Sequence, residues 1–381
     1  MSVTLAPSPS PAPAPARLHA LDSLRGIAAL TVLLGHILMV CEWDTRWARM
    51  PLLNNLFDGR SAVTMFFVLS GFVLTYGSLR SSRPLLLVPF YIRRITRIWI
   101  PWLVAFCLSI AAKRWLLSTP VDLQPPLGHH YLLFWSQANS PLDLLRQSLF
   151  MLHQADKQFL PQDWSLGVEL RGSLLIPLFL LLARRSWAWV AAAGMALWLI
   201  RPDGGYFYTS FAVGVWVASL SATAQGLKSG WLFALLGFVL YQVRWASGLC
   251  GTLSYATMER WVWLISSIGC GLIILGIMRS QALRTSLEHF APVFLGKVSY
   301  SLFLLQMIVL LCVAPWLIAG LNHLGVRNPW LIQPVLLVAL PAMVLALAAL
   351  AERWIEVPCI RLGKHLTACV EQMPKLSRWS A

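Results

Sequence analysis

Ten apolar runs, too long and too numerous to be buried against one another in a water-soluble body of this size, constrain this chain more than any other feature. They cover about residues 24–42, 61–79, 98–112, 165–183, 186–200, 206–222, 230–245, 259–278, 295–320 and 330–351. About 20 apolar residues at 1.5 Å each cross the roughly 30 Å of a bilayer's hydrocarbon, and a helix bonds its own backbone while doing so. Hydrophobic residues make up 58% of the chain and charged ones only 12%, where soluble domains run nearer a quarter charged. The expected fold is an all-α integral membrane protein, a polytopic bundle of about ten transmembrane helices.

The net charge of +15 does not point to nucleic acid, because the basic residues sit in short clusters between apolar runs instead of along one stripe. With the N-terminus in the cytoplasm, the inner connections hold Arg80, Arg83, Arg93, Arg94, Arg97, Arg184, Arg185, Lys228, Arg279 and Arg284. Lys and Arg accumulate on the cytoplasmic side, so both termini are placed there and the number of spans is even. Lys113 and Arg114 end the third span on this reading. Seven cysteines, an odd number without a C-x-x-C pair, lie mostly in apolar segments, as Cys107, Cys270 and Cys312 do; neither a disulfide framework nor a zinc site is expected.

Residues 1–20 lack the apolar core of a signal peptide and read as a disordered Pro/Ala-rich cytoplasmic tail. Residues 21–363 read as one membrane domain and 364–381 as a C-terminal cytoplasmic tail. The outer connection from about 113 to 163 is longer than a link requires; it reads as a substrate lid or docking loop, or as a plain tether.

The first run, LDSLRGIAALTVLLGHILMV, keeps Arg25 and His36. Eleven residues at about 100° each bring the two to one helix face, roughly 16 Å apart along the axis. They cannot pair with each other. An ionisable group in a span costs on the order of 2.5–3.5 kcal/mol and usually faces the bundle interior. Two readings stand: Arg25 snorkels to headgroups and His36 merely packs, or the two are stations on a reaction path. Glu169, in QDWSLGVELRGSLLIP, lies at a depth matching that of His36, so a hydrogen bond is allowed if their helices are neighbours, and a carboxylate there would fix the imidazole tautomer. The alternative is an ion pair with another helix. Arg171, two positions on, points elsewhere. Arg93, Arg94 and Arg97 crowd the inner mouth of the third span. Arg94 and Arg97 share a face suited to clamping phosphates, or serve topology and anionic lipid alone. No phosphate-binding loop, zinc-protease or serine-hydrolase motif occurs.

LDSLRGIAALTVLLGH, FFVLSGFVLTYG, RRITRIWIPWL, WSLGVEL, GKVSYSLFLLQ and ERWIEVPC follow one another in an order that resembles the acyltransferase-3 family of membrane O-acyltransferases, over about residues 20–363. The R-x10-H element followed by F-F-x-L-S-G-F is the specific part. The resemblance implies transfer of an acyl group, most often acetyl, from cytoplasmic acyl-CoA to a hydroxyl of an extracytoplasmic glycan, with no permanently bound cofactor and no metal. It implies His36 as the catalytic histidine, Arg25 as essential and linked to the donor, Arg94 and Arg97 as the R-x-x-R element with Arg93 beside it, and Glu169 as the motif glutamate. Trp164, Ser165, Tyr300 and Gln306 are assigned acceptor-side or structural roles. Gln306 departs from the family, where histidine is common, and the LRGSLL that follows Glu169 departs on the acceptor side.

The expected reaction has His36 deprotonating a sugar hydroxyl that attacks the thioester, with Glu169 orienting the imidazole; an acyl-imidazole intermediate is the two-step version. The expected setting is a bacterial cytoplasmic (inner) membrane, with an exopolysaccharide or lipopolysaccharide as acceptor. The competing classes are a transporter or flippase using the buried charges as a pathway, and a non-catalytic partner of a polysaccharide assembly system.

Overall fold

The computed structural model describes residues 18–41, 50, 53–81, 85–119, 127, 135, 140–149, 159–200, 204–223, 229–247 and 255–372. Those residues build helices and connections, with no β-strand among them. In chain order the helices are α1 (His19–Val40), α2 (Gly59–Ser81), α3 (Leu87–Ser118), α4 (Pro141–Ser148), α5 (Asp163–Arg185), α6 (Trp187–Ile200), α7 (Gly205–Thr223), α8 (Gly230–Tyr241), α9 (Val243–Ser247), α10 (Tyr255–Arg279), α11 (Gln281–Leu287), α12 (Phe290–His323), α13 (Pro329–Ala351) and α14 (Val357–Glu371). Nine of the ten apolar runs fall on one helix each, and the run 230–245 is shared between α8 and α9. Seven helical stretches are long and apolar enough to cross a membrane: α1, α2, α3, α5, most of α10, α12, and a continuous run from Pro329 to Glu371; the apolar helices Trp187–Ile200 and Gly230–Ala246 are shorter. The protein is thus an all-α, multi-pass membrane protein.

Two boundaries differ from the sequence reading. The third span does not end at Lys113: α3 continues to Ser118. Lys113 is only 4% exposed and holds its ammonium 5.0 Å from the centre of the Phe159 ring, where attraction to the ring face offsets part of its desolvation. At the other end, α1 begins at His19 and α14 runs to Glu371, so residues 19–20 and 364–371 are helical. The remaining tail residues, 1–17 and 373–381, lie outside the described set, as does most of the long outer connection. Within that connection α4 starts on a capping box, with the Ser140 hydroxyl accepting from the Asp143 amide and the Asp143 carboxylate accepting from Ser140. Those bonds to the ionised form hold the Asp143 carboxyl below the usual carboxylate range.

Helix directions follow from which residues meet. Gly26 of α1 lies against Leu295 and Gly296 of α12, and a Cβ on either glycine would run into the other helix's backbone; ten residues further along both chains, His36 meets Gln306. The two helices are therefore parallel. Gly35 and Val32 of α1 approach Phe57 and Gly59, so α2 returns antiparallel to α1. Phe67 packs on Phe207 and Phe211, and Gly71 on Phe211 with Gly214 beside it: α2 and α7 are parallel. Ser210 of α7 bonds Ser267 and Trp263 of α10 at 2.8 and 2.9 Å, while Gly271 faces Val213 and Val217, so α7 and α10 are parallel too. Small residues and hydroxyl bridges are what lipid-embedded helices use to approach one another, because lipid gives them no hydrophobic drive to associate.

The core divides in two. One cluster draws on α2, α3, α5, α7 and α10; the other is built by α1, α12 and α13. Phe66 of α2 packs against both. Since the α1 and α12 backbones touch at Gly26, a Gly26→Val protein is expected to lose thermal stability by on the order of 2–4 kcal/mol, through forced separation of the pair. Heating the detergent-extracted protein and following its size-exclusion peak checks this; an unchanged midpoint would contradict it.

Candidate functional site

The chemistry gathers around a cavity lined by one residue of α1 (Arg25), six of α2 (Val63, Phe66, Phe67, Ser70, Val73, Leu74), Arg94, Arg97 and Ile98 of α3, Ser165, Leu166 and Glu169 of α5, and Ser299, Tyr300 and Phe303 of α12. The cavity and the open space at its mouth together leave about 760 Å³ free of protein atoms. Three arginines against one glutamate give the lining an excess of positive charge, while the phenylalanines, valines and leucines leave the rest apolar.

Arg94 and Glu169 form the central pair, with Arg94 Nη2 donating to Glu169 Oε1 at 2.9 Å. The same carboxylate oxygen accepts from Ser70 Oγ at 3.1 Å. On the other edge of the guanidinium, Arg94 Nε donates to Ser173 Oγ at 3.0 Å, and Ser173 in turn donates to the Glu169 carbonyl. Helices α2, α3 and α5 are thus cross-linked through one largely buried ion pair to which Ser70 and Ser173 add hydrogen bonds, and such added bonds help a pair to be tolerated away from water. Arg25 pairs with Asp22 one turn back on α1 at 3.2 Å. Arg97 is exposed, lines the cavity and makes no ion pair among the described residues, although Glu356 is near enough to feel its charge. Tyr300 turns its hydroxyl away, donating to the Ile98 carbonyl at 2.6 Å, and so ties α12 to α3. On the far side of α12 a π turn, Glu352–Glu356, follows α13; there Ser301 donates to Glu356 at 3.0 Å.

The cavity has two ends. Ordered along their helices, Arg25, Arg94, Arg97 and Leu74 mark one end, and Val63, Ser165 and Phe303 the other. His36 is half-buried and lies beyond the second end, outside the lining. One turn past Phe303 on α12, the fully buried Gln306 donates from Nε2 to the Phe303 carbonyl at 3.2 Å, which orients its carboxamide against the His36 ring. Two buried atoms of this couple, Nδ1 of His36 and Oε1 of Gln306, lack a well-aligned hydrogen-bond partner.

The expected His36 to Glu169 hydrogen bond is therefore not formed. The depths do not match: Glu169 lies seven residues, roughly 10 Å, inward of Gln162, which meets Phe303 and Leu304, so it sits among the arginines and is taken by Arg94, while His36 faces Gln306 of α12. The shared face of Arg94 and Arg97 holds, since both line the cavity. Arg93, by contrast, is exposed, with its backbone near Gly363 of α14, and stands outside the lining. Ser165 is in the lining and donates to the Gln162 carbonyl; Trp164 is not, and packs on Phe207 at 5.3 Å. Arg171 points away, donating to the Tyr208 hydroxyl at 3.2 Å. Sequence reasoning missed Ser70, Ser173, Phe66 and Phe303. Two of these carried a signal, as Phe66 and Ser70 lie in the FFVLSGF stretch that marks the family resemblance. Among the described residues no three His, Cys, Asp or Glu side chains converge on a metal-sized site.

A bundle of apolar helices enclosing an arginine-lined cavity beneath a histidine fits a membrane-embedded transferase, and comparison with known proteins gives the class. The acyltransferase domain of the acyltransferase-3 type matches residues 18–351, and the chain belongs to that family. It is similar to the acyltransferase MdmB of Streptomyces mycarofaciens, 26% identical over 403 residues that cover 95% of this chain and 98% of the relative. No solved structure matches it significantly. The chain is an acyl-transferring enzyme of the membrane.

Proposed function

We propose that this enzyme moves an acyl group, acetyl in the first instance, from cytoplasmic acyl-CoA to a hydroxyl of an extracytoplasmic polysaccharide or lipid-linked glycan. The observation that carries the reading is the cavity: its cationic end and His36 stand one above the other along two parallel helices. Arg25 and His36 are eleven residues, roughly 16 Å, apart along α1, about the span between a donor's phosphates and its thioester. Arg97, with no carboxylate partner, and the Arg94 edge left open would hold phosphate by charge-assisted hydrogen bonds. The apolar walls would take the pantetheine arm.

His36 then acts as the general base. Gln306 replaces Glu169 as the group that orients it: a carboxamide oxygen accepting from one ring nitrogen leaves the lone pair of the other free for the acceptor hydroxyl. The hydroxyl oxygen attacks the thioester carbonyl as its proton passes to His36, the tetrahedral intermediate collapses, and the thiolate leaves, taking the proton back. The carboxamide adds no charge, so the protonated imidazole lasts only as long as the intermediate.

Ten crossings with both termini in the cytoplasm, in a bacterial inner membrane, complete the proposal. Parallel α1 and α12 require an odd number of crossings between them. Counting only α2, α3, α5 and α10 gives four; adding α6, α7 and α8 gives seven. The parallel pairs α2 with α7 and α7 with α10 agree with the same count. The direct test of the donor site is Arg97→Gln in the purified protein. Loss of a charge-assisted contact is expected to weaken acetyl-CoA binding about 10-fold or more, by titration calorimetry, with folding unchanged. Equal affinity in the two proteins would remove Arg97 from the donor site. For the acceptor, base-labile acetyl on the cell-surface polysaccharide, measured by NMR in a deletion strain with and without the gene, separates transfer to glycan from transfer elsewhere.

A further inference from the structure

An aromatic pair lines the cavity on the side of α12 that leads toward Gln306 and His36. The rings of Phe66 and Phe303 stand edge to face with centres 5.9 Å apart, and both line the cavity. They lie toward its outer end, because α5 enters there: Gln162, one residue before α5, donates from Nε2 to the Phe303 and Leu304 carbonyls at 3.2 and 3.0 Å. Phe303 O thus accepts from Gln162 on one side and from Gln306 on the other, and its ring is 6% exposed. Phe303 is a fixed wall. Phe66 is only partly buried and, as the residue packed against both cores, sits where the cluster around the arginines ends and the cluster around His36 begins.

We infer that Phe66, braced on Phe303, sets the acyl-chain length of the donor by closing the cavity just short of His36. The inference rests on the donor site proposed above. A thioester whose phosphates are held at the arginine end brings its carbonyl to this pair. A one-carbon tail beyond the carbonyl fits beside an edge-to-face pair, and a longer chain requires Phe66 to leave its place between the two clusters. The substrate class is therefore a short-chain acyl thioester, with acetyl preferred. Removal of the ring opens space in line with the acyl tail and leaves the arginines, Gln306 and His36 untouched.

The test compares acetyl-, butyryl- and hexanoyl-CoA binding to the purified full chain in detergent, as wild type, Phe66→Leu, Phe66→Ala, Phe66→Trp and Arg97→Gln. The wild type is expected to prefer acetyl-CoA. Phe66→Ala is expected to move the acetyl to hexanoyl affinity ratio about 10-fold or more toward hexanoyl, since each added methylene in a shaped pocket discriminates by about 10-fold or more. Phe66→Leu should move it the same way by less, and Phe66→Trp the opposite way. Arg97→Gln should weaken all three donors alike. If Arg97→Gln weakens every donor but the three Phe66 variants, folded by size-exclusion, keep the wild-type ratio, the assignment of Phe66 is wrong and the donor site stands. If Arg97→Gln changes nothing, the donor site itself is wrong and Phe66 loses its role with it.

Discussion

The His36→Ala protein is expected to accumulate in the membrane like wild type and to transfer acyl groups about 10²–10⁴ times more slowly, the usual contribution of a positioned general base. His36 packs at a half-buried position, its Nδ1 has no aligned partner, and it carries no ion pair among the described residues, so its removal leaves no buried charge stranded and little stability is lost. Donor binding should survive, because Arg25 lies roughly 16 Å away along α1 and Arg94 and Arg97 line the same cavity from α3. A rate loss with donor affinity intact is the signature; it is read from acetyl release on the surface polysaccharide together with acetyl-CoA titration of the purified protein. Full acetylation by His36→Ala would exclude the histidine from the chemistry.

Arg94→Ala is expected to behave in the opposite way, as a structural lesion first. The guanidinium is buried and pairs with Glu169, so its removal leaves a carboxylate among apolar helices without its cation. Breaking one side of such a pair typically destabilises by about 3–5 kcal/mol, whereas replacing both sides is far milder. The double variant Arg94→Leu with Glu169→Leu is expected to regain most of the thermal midpoint that Arg94→Ala loses, without regaining donor binding. Heating curves of the three proteins decide this. A double variant no more stable than Arg94→Ala would mean that the pair does not brace α3 against α5.

The same pair marks the limit of what was legible in the sequence. The apolar runs locate helices, seven of the helical stretches being long and apolar enough to cross a membrane, because lipid fixes both the length and the hydrogen bonding of a span, and the periodicity of α1 places Arg25 and His36 on one face. Sequence also placed Arg94 and Arg97 together, since three residues is a local spacing. Which carboxylate meets which cation is not local. Depth counted from uncertain helix ends put Glu169 level with His36, and only the packing of α5 on α3 shows it among the arginines instead. Gln306 was read as a doubtful departure; its place opposite His36 depends on two glycines, Gly26 and Gly296, closing a seam 270 positions apart in sequence. The end of α3 was misplaced because two consecutive basic residues read as an interface, and nothing local tells that one of them is stacked on Phe159.

That glycine seam carries a consequence for how the enzyme can change. With α1 and α12 locked side by side and in step, the spacing from the arginines to the histidine belongs to two backbones at once. Point substitutions can retune what binds at either station but cannot move one station toward the other. A donor with a longer or shorter arm could be accommodated only by adding or removing residues in both helices together, a double event that single mutational steps do not reach.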